Sequence, residues 1–247
     1  MSEQLSMTGA ALSKTDSQLA KAMQGKFIVF DGPDGAGKST QREACNKALR
    51  DGGAEVVSCR DPGGTTIGDR IRSVLLDFDL SNMNVTCETL LFMASRAQLV
   101  HEIIAPALVE GKTVLCDRFI TSTCAYQGAA GFDPNRVIEL ARFAVGDHWP
   151  DLTIIFDVDA EEGFKRIGRK PHHAGKNRKK DAGAASLFDG SQTDAMEARS
   201  LDFHRRVRKR FLEVHDYYPT PVVTVDARGS VDEIHQRTTE AIIHALG

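Results

Sequence analysis

Gly32-Pro33-Asp34-Gly35-Ala36-Gly37-Lys38-Ser39-Thr40 sits between the apolar run Phe27-Ile28-Val29-Phe30 and a helix-like segment from Gln41 to Arg50. Strand, glycine-rich loop and helix in that order, with G-x-x-x-x-G-K-[ST] filled at every fixed position, make a P-loop. Such a loop turns successive backbone N–H groups inward around a phosphate, and the helix N-terminus behind it adds partial positive charge. Lys38 is placed to reach β and γ phosphate oxygens, and the Ser39 hydroxyl to ligate a Mg²⁺ held there. Gly32 to Thr40 therefore reads as a nucleoside-triphosphate-binding loop, against the plainer reading of a glycine turn beside an exposed lysine.

After the loop helix, Glu55-Val56-Val57-Ser58 reads as a short strand. It runs into Arg60-Asp61-Pro62-Gly63-Gly64-Thr65, whose Pro and Gly oppose regular structure. Ile67, Ile71, Val74 and Leu75 form a helical apolar stripe. A single helix is expected from Thr86 to Glu110, with Leu90, Leu91, Met93, Ala97, Val100 and Ile104 mostly on one side. Thr113 to Asp117 looks like a buried strand ending in a carboxylate, and Arg118 to Gly131 like a loop and short helix. Pro134 opens a helix to about Val145. Leu152 to Val158 is β-branched and continuously apolar, as central parallel strands are, and a helix follows from about Ala160 to Gly168. Lys170 to Thr193 is polar and without periodicity, which in a compact domain marks a functional lid or disorder. Phe203, Val207 and Phe211 mark a helix from about Asp194 to Val214; Val222 to Val225 is the last strand and Val231 to Leu246 the closing helix. Alternating strands and helices imply right-handed crossovers and a parallel sheet covered on both faces. The expected architecture is an α/β P-loop three-layer fold, a five-stranded parallel sheet flanked by helices, with a basic lid at about residues 169–194.

The 247 residues, 41% hydrophobic and 26% charged, suit a soluble globular protein with one domain. A net charge of −3 predicts no general affinity for nucleic acid or an anionic membrane. No apolar run approaches membrane-spanning length. Cys45, Cys59, Cys87, Cys116 and Cys124 are odd in number and lack metal-ligand spacing, which suits reduced thiols in the cytoplasm. Residues 1–25, polar and Ser/Ala-rich, read as a mobile extension ahead of a domain over 26–247.

A P-loop alone does not choose between switch, motor and kinase. Guanine-binding switches carry N-K-x-D, and Asn46-Lys47-Ala48-Leu49 lacks the aspartate and lies within the first helix. With the P-loop as GPDGAGKST, the further motifs are RDPGGT at Arg60–Thr65, LLFMASRAQ at Leu90–Gln98 and DRFITSTCAYQG at Asp117–Gly128. PDLTIIFDV at Pro150–Val158 and LDFHRRVRKRFLEV at Leu201–Val214 complete the series. In this order, from Phe27 to the C-terminus, the chain resembles the thymidylate kinases, which transfer the ATP γ-phosphoryl to dTMP. RDPGGT stands where that family usually has REPGGT.

The resemblance implies roles residue by residue. Phe92 stacks on thymine and Arg96, four residues on and on the same helix face, donates to its O4. Core packing is the rival for Phe92, and a surface ion pair for Arg96. Gln127 offers an amide to the base, Ser122 and Thr123 border its edge, and Tyr126 closes the space of a ribose 2′-OH; filling the site wall is the rival for all four. Asp34 matches the carboxylate that binds the acceptor 3′-OH, against a turn-stabilising Asp. Arg118 and Arg60 hold the acceptor phosphate, since guanidinium groups grip phosphate bidentately. Asp117 orients Mg²⁺ through water or positions Arg118, a plain ion pair being compatible with both. His172, His173 and His204 have no metal-ligand pattern and read as solvated.

The expected chemistry is in-line displacement by an already anionic phosphate oxygen, so no strong general base is needed and positioning with charge neutralisation carries the rate. In this family a catalytic arginine comes from the P-loop or from the lid. Gly35 follows Asp34, so the P-loop has none, and the lid must supply it. The basic run from Lys165 to Lys180 is read as phosphate-clamping rather than as a nucleic-acid patch or a merely solvated loop. Where the family has D-R-[hydrophobic]-E, this chain has Asp194-Ala195-Met196-Glu197, preceded by about twenty extra residues; Arg178 and Arg169 are the expected replacements. The function read from the sequence is ATP- and Mg²⁺-dependent conversion of dTMP to dTDP by a cytoplasmic homodimer. Its rivals are a kinase of another deoxynucleoside monophosphate and a nucleotide-binding module without turnover.

Overall fold

Every residue of β1 (Phe27–Asp31) is buried. Its side chains alternate between two apolar clusters, Phe27 and Val29 into one, Ile28 and Phe30 into the other. That is the signature of a strand covered on both faces. The computed structural model describes residues 14–77, 80, 82–168 and 199–247. The chain continues through α2 (Lys38–Asp51), β2 (Val56–Arg60), α3 (Thr66–Leu76) and α4 (Val85–Leu99). After α5 (Ala105–Val109) come β3 (Thr113–Asp117), α6 (Ile120–Ala129), α7 (Pro134–Val145) and β4 (Leu152–Asp157). Then follow α8 (Ala160–Arg166), α9 (Leu201–Glu213), β5 (Val222–Asp226) and α10 (Val231–Leu246). The five strands pair in the order β2-β3-β1-β4-β5, all parallel. The expected α/β architecture is the observed one.

With β1 central, the loop that follows it opens at the carboxyl edge of the sheet. In register there, Phe30 faces Asp117 of β3, and Asp117 faces Arg60 of β2. Ligands of open parallel sheets bind at this edge, where crossovers diverge to opposite sides.

Three expectations are corrected. Residues 14–23 do not form a mobile extension. They make a helix, α1 (Lys14–Met23), packed on α2 and α10, with Leu19 and Met23 fully buried. The Met23 carbonyl accepts from the Thr113 hydroxyl at 2.9 Å, fastening α1 to β3. Two such side chains contribute about 1.5–3 kcal/mol each, enough to hold a short helix in place. The helix expected from Thr86 to Glu110 is divided: a π-turn at Val100–Ile104 joins α4 to α5. Pro106 has no N–H to give back along the helix, which removes a ladder bond at that point. The helix expected from Asp194 begins at Leu201, where the Ser200 hydroxyl accepts from the Phe203 N–H. The lid over 169–194, with Asp194-Ala195-Met196-Glu197, lies outside the described residues.

Candidate active site

Gly37 enters α2 with φ +83°, and no side chain caps that helix, so its first N–H groups are left to the loop. Gly35, at φ +75°, lies against α8: a Cβ there would stand 2.1 Å from the Gly163 carbonyl oxygen. Lys38 is buried, and its Nζ donates to the Pro33 carbonyl at 2.7 Å. Burial, then repulsion from Arg118, pulls its pKa down to about 8 against the pull of Asp34, Asp117 and Asp31. Lys38 remains an ammonium at neutral pH, and polyanionic phosphate beside it would raise that value again. Ser39 is exposed and its hydroxyl donates to Asp117 Oδ2 at 2.7 Å. A hydroxyl beside a carboxylate at the loop mouth is a hard-oxygen pair, the donor set Mg²⁺ takes together with phosphates and water.

Asp31, at the end of β1, is the hub beneath the loop. Its carboxylate accepts from the Gly32 N–H at 2.8 Å, the Ser122 hydroxyl at 2.6 Å and the Thr121 hydroxyl at 2.5 Å, which docks α6 on the P-loop. Arg118, between β3 and α6, has φ +66°, alone among non-glycine residues in the described part of the chain. A left-handed backbone is uncommon for a residue with a side chain. The Arg118 guanidinium donates to the Gly32 carbonyl at 3.1 Å, the Ser122 hydroxyl at 3.0 Å and the Asp34 carboxylate. It also lies 5.3 Å over the Tyr126 ring. Burial raises the Asp34 pKa, but Arg118, then Lys38 and His204, outweigh it and hold the carboxyl below its ordinary value. The Tyr126 hydroxyl adds to that lowering, although no hydrogen bond of ordinary geometry joins the two groups.

Beside Arg118 opens a cleft of about 610 Å³, counting its open mouth, between the P-loop, the loop after β2, α3, α4 and α6. Phe92 and Arg96 of α4 line it, together with Ser122, Thr123, Tyr126 and Gln127 of α6. Arg96 is 1% exposed. It donates through Nε to Asp61 Oδ2 at 2.7 Å and through Nη2 to the Thr123 hydroxyl at 2.9 Å and the Phe119 carbonyl at 3.1 Å. A guanidinium held at that many points is pre-set for a planar acceptor. One cleft thus carries an aromatic face, a fixed guanidinium and a buried amide, and shares Asp34 with the triphosphate loop.

The model of the thymidylate kinase family matches residues 30–238. The chain is 40% identical over 225 residues to the thymidylate kinase of Bacillus licheniformis, covering 91% of this chain and 98% of that protein. With the thymidylate kinase of Pelobacter propionicus it shares 40% identity over 220 residues, 89% and 92% of the two chains. With that of Nitratidesulfovibrio vulgaris it shares 39% over 221 residues, 89% and 97%. The chain belongs to the thymidylate kinase family. The reaction of this family member is ATP-dependent phosphorylation of dTMP.

Against that family pattern, the cleft brings together Asp34, Phe92, Arg96, Arg118, Ser122, Thr123, Tyr126 and Gln127. Arg60 does not line it; its side chain is more than half exposed and lies 3.8 Å from Asp69. Arg72 of α3 stands in the lining instead, its Nη1 donating to the Pro62 carbonyl at 2.9 Å. Arg96 does make an ion pair, but a buried one with Asp61 and not a surface one. His204 is not solvated: it is 2% exposed, packed edge-on against Tyr126, Phe164 and Phe203, with Nδ1 3.6 Å from Asp34 Oδ2. Arg169 and Arg178 lie outside the described residues. Arg166, from the same basic run, turns away to the Ala227 carbonyl at 2.8 Å.

Asp31, Asp61, Arg72, Glu88 and His204 were not anticipated. Two had a visible signal. Glu88 precedes Phe92 by four residues and so shares its helix face, and His204 follows Phe203 inside the buried stripe of α9. Asp61 stood inside RDPGGT, though its partner Arg96 lies 35 positions on; Asp31 and Arg72 take their places through contacts that no local pattern announces.

Proposed function

We propose that the cleft under α4 receives dTMP while Gly32 to Thr40 receives ATP, so that the two phosphate groups meet between Lys38 and Arg118. The observation that carries this reading is the sharing of Asp34: it belongs to the triphosphate loop and also lines the cleft that holds Phe92, Arg96 and Gln127. Phe92 stacks on thymine, Arg96 donates to O4 and Gln127 reads the base edge. Ser122 and Thr123 border that edge, Tyr126 closes off a 2′-hydroxyl, and Asp34 takes the 3′-OH. Arg118 and Arg72, with Arg60, supply cations for the acceptor phosphate. Backbone N–H groups at the start of α2 and the Lys38 ammonium hold the ATP phosphates.

A dTMP phosphate oxygen attacks Pγ in line, a new P–O bond forms, and the bond from Pγ to the β–γ bridging oxygen breaks to release ADP. The acceptor is already an anion, so the chain's task is alignment and neutralisation of charge. Ser39 and Asp117 hold Mg²⁺, which when bound neutralises charge on the phosphates. The transferring group is further neutralised by a lid cation, for which Arg178 and Arg169 are proposed. The protein acts as a cytoplasmic homodimer in this reading; among the described residues no helix is long and apolar enough to cross a membrane.

ADP release measured with a panel of monophosphates tests the reading. ADP is expected with dTMP, and with dCMP or dGMP at most weakly. Release with dCMP or dGMP instead identifies a different monophosphate kinase, and release with none leaves only nucleotide binding. Lys38→Ala should remove nearly all turnover.

A further inference from the structure

We infer that Glu88 is a specificity-positioning residue, which locks the Gln127 amide so that its carbonyl oxygen, and not its NH₂, is offered to the nucleobase. The inference rests on the reading of the cleft as a dTMP site and deepens it. Glu88, Phe92 and Arg96 follow at spacing four on α4 and so share one face. Glu88 is 5% exposed. One of its oxygens accepts from Gln127 Nε2 at 3.1 Å, the other from Arg199 Nη2 at 2.8 Å. Arg199 stands just ahead of α9, its guanidinium 4.7 Å over the Phe203 ring. Gln127 is wholly buried and lines the cleft, and its Oε1 has no hydrogen-bond partner among the described residues.

The orientation of the amide follows from chemistry. A carboxylate paired with a guanidinium only accepts hydrogen bonds, so turning the amide over would set oxygen against oxygen. Glu88 therefore dictates that the group left for the cleft is an acceptor. A buried carbonyl oxygen without a donor is costly, and it marks where a ligand N–H belongs. Thymine carries one at N3, between two carbonyls, whereas N3 of cytosine is itself an acceptor. Beside the fixed Arg96 donor, the acceptor completes a donor–acceptor pair matched to the O4/N3–H edge. Arg199 holds the carboxylate in place, which ties base reading to the segment entering α9.

The test compares kcat/KM for dTMP with that for 3-deaza-dTMP, which carries C–H in place of N3–H and its 4-oxygen as a hydroxyl. That second change meets Arg96 alike in wild type and variant, so the fall of the ratio on substitution is the readout. Wild-type protein should prefer dTMP by roughly tenfold or more, the loss of one buried hydrogen bond setting the lower bound. In Glu88→Gln, a neutral amide can donate to Gln127 as well as accept, so the lock is released and the ratio should fall by roughly tenfold from its wild-type value. The preference for dTMP over dUMP should not move, since both carry N3–H, and KM for ATP should stay as in wild type. An unchanged dTMP/3-deaza-dTMP ratio overturns the inference, and so does equal loss with both acceptors, which would be a merely structural effect. Should Glu88→Gln not fold by thermal melting, Arg199→Ala decides: the same ratio falls a few-fold or the inference fails. Wild-type protein inert toward dTMP sinks the underlying reading, whereas active wild type with an unmoved ratio sinks only the role of Glu88.

Discussion

A side chain at position 35 would begin 2.1 Å from the carbonyl oxygen of Gly163 and 2.6 Å from its carbonyl carbon, both backbone atoms that cannot rotate aside. The reverse contact is as tight, a Cβ on Gly163 lying 2.3 Å from the Asp34 carbonyl oxygen. The P-loop therefore excludes an arginine here because α8 packs against it. Gly35→Arg should not supply the catalytic cation; ADP release should fall by roughly a hundredfold or more, since a displacement of about 1 Å already costs that much. A variant as active as wild type would show that α8 yields. Asp34 carries a second prediction. Its folded-state pKa lies below 3.8, so the ionised form favours the native state. That stability is complete above the unfolded value and is lost as pH falls through the lower folded value. Melting temperature should drop for wild type as pH is lowered below about 4, and Asp34→Asn should show a shallower acid slope in the same scan. Equal slopes would mean that Asp34 is not held acidic.

Among the elements, α1 is the one whose role changes the account of the molecule. Leu19 and Met23 complete the cluster that covers one face of the sheet, together with Leu49 of α2 and Ile242 of α10. Leu19→Ala should cost about 2–5 kcal/mol in urea unfolding, as for other buried leucines, where a mobile extension would give no change. The helix α4 serves recognition differently. Its inward residues at spacing four are a carboxylate, an aromatic ring and a guanidinium, and the groups that pair with them come from the loop after β2, from α6 and from the approach to α9.

At the scale of the whole molecule, the strand order puts Asp31, Arg60 and Asp117 on one rim of the sheet, so the loops after β1, β2 and β3 converge on a single opening. Helices α4 and α7 pack together and leave Leu90 half exposed and Phe143 94% exposed. The proposed homodimer, packed through helices, would bury such a ring. If Phe143 lies in the proposed dimer seam, Phe143→Glu should give monomer mass where wild type gives dimer mass in light-scattering chromatography, with little loss of melting temperature for the isolated fold. A wild-type protein of monomer mass would count against the dimer.

The P-loop and the parallel sheet were legible in the amino-acid order, and the resemblance to thymidylate kinases singled out Phe92, Arg96, Tyr126 and Gln127, which line one cleft. Each rests on a local signal, whether glycine spacing, apolar periodicity or a short motif, and covalent neighbours determine such signals. What they touch was not legible. Asp61 reaches Arg96 across 35 positions, Glu88 reaches Gln127 across 39, and Asp31 reaches Ser122 across 91. Polar side chains bury only with partners, and which partner arrives is decided by how the helices pack on the sheet. For the same reason residues 14–23 read as tail: ten polar-leaning residues show too little apolar surface to hold a helix alone, and only the groove between α2 and α10 supplies the contacts. The sequence by itself determined the phosphate-binding loop and the order of strands and helices; the tertiary structure decided which oxygen of which side chain is left facing the cleft.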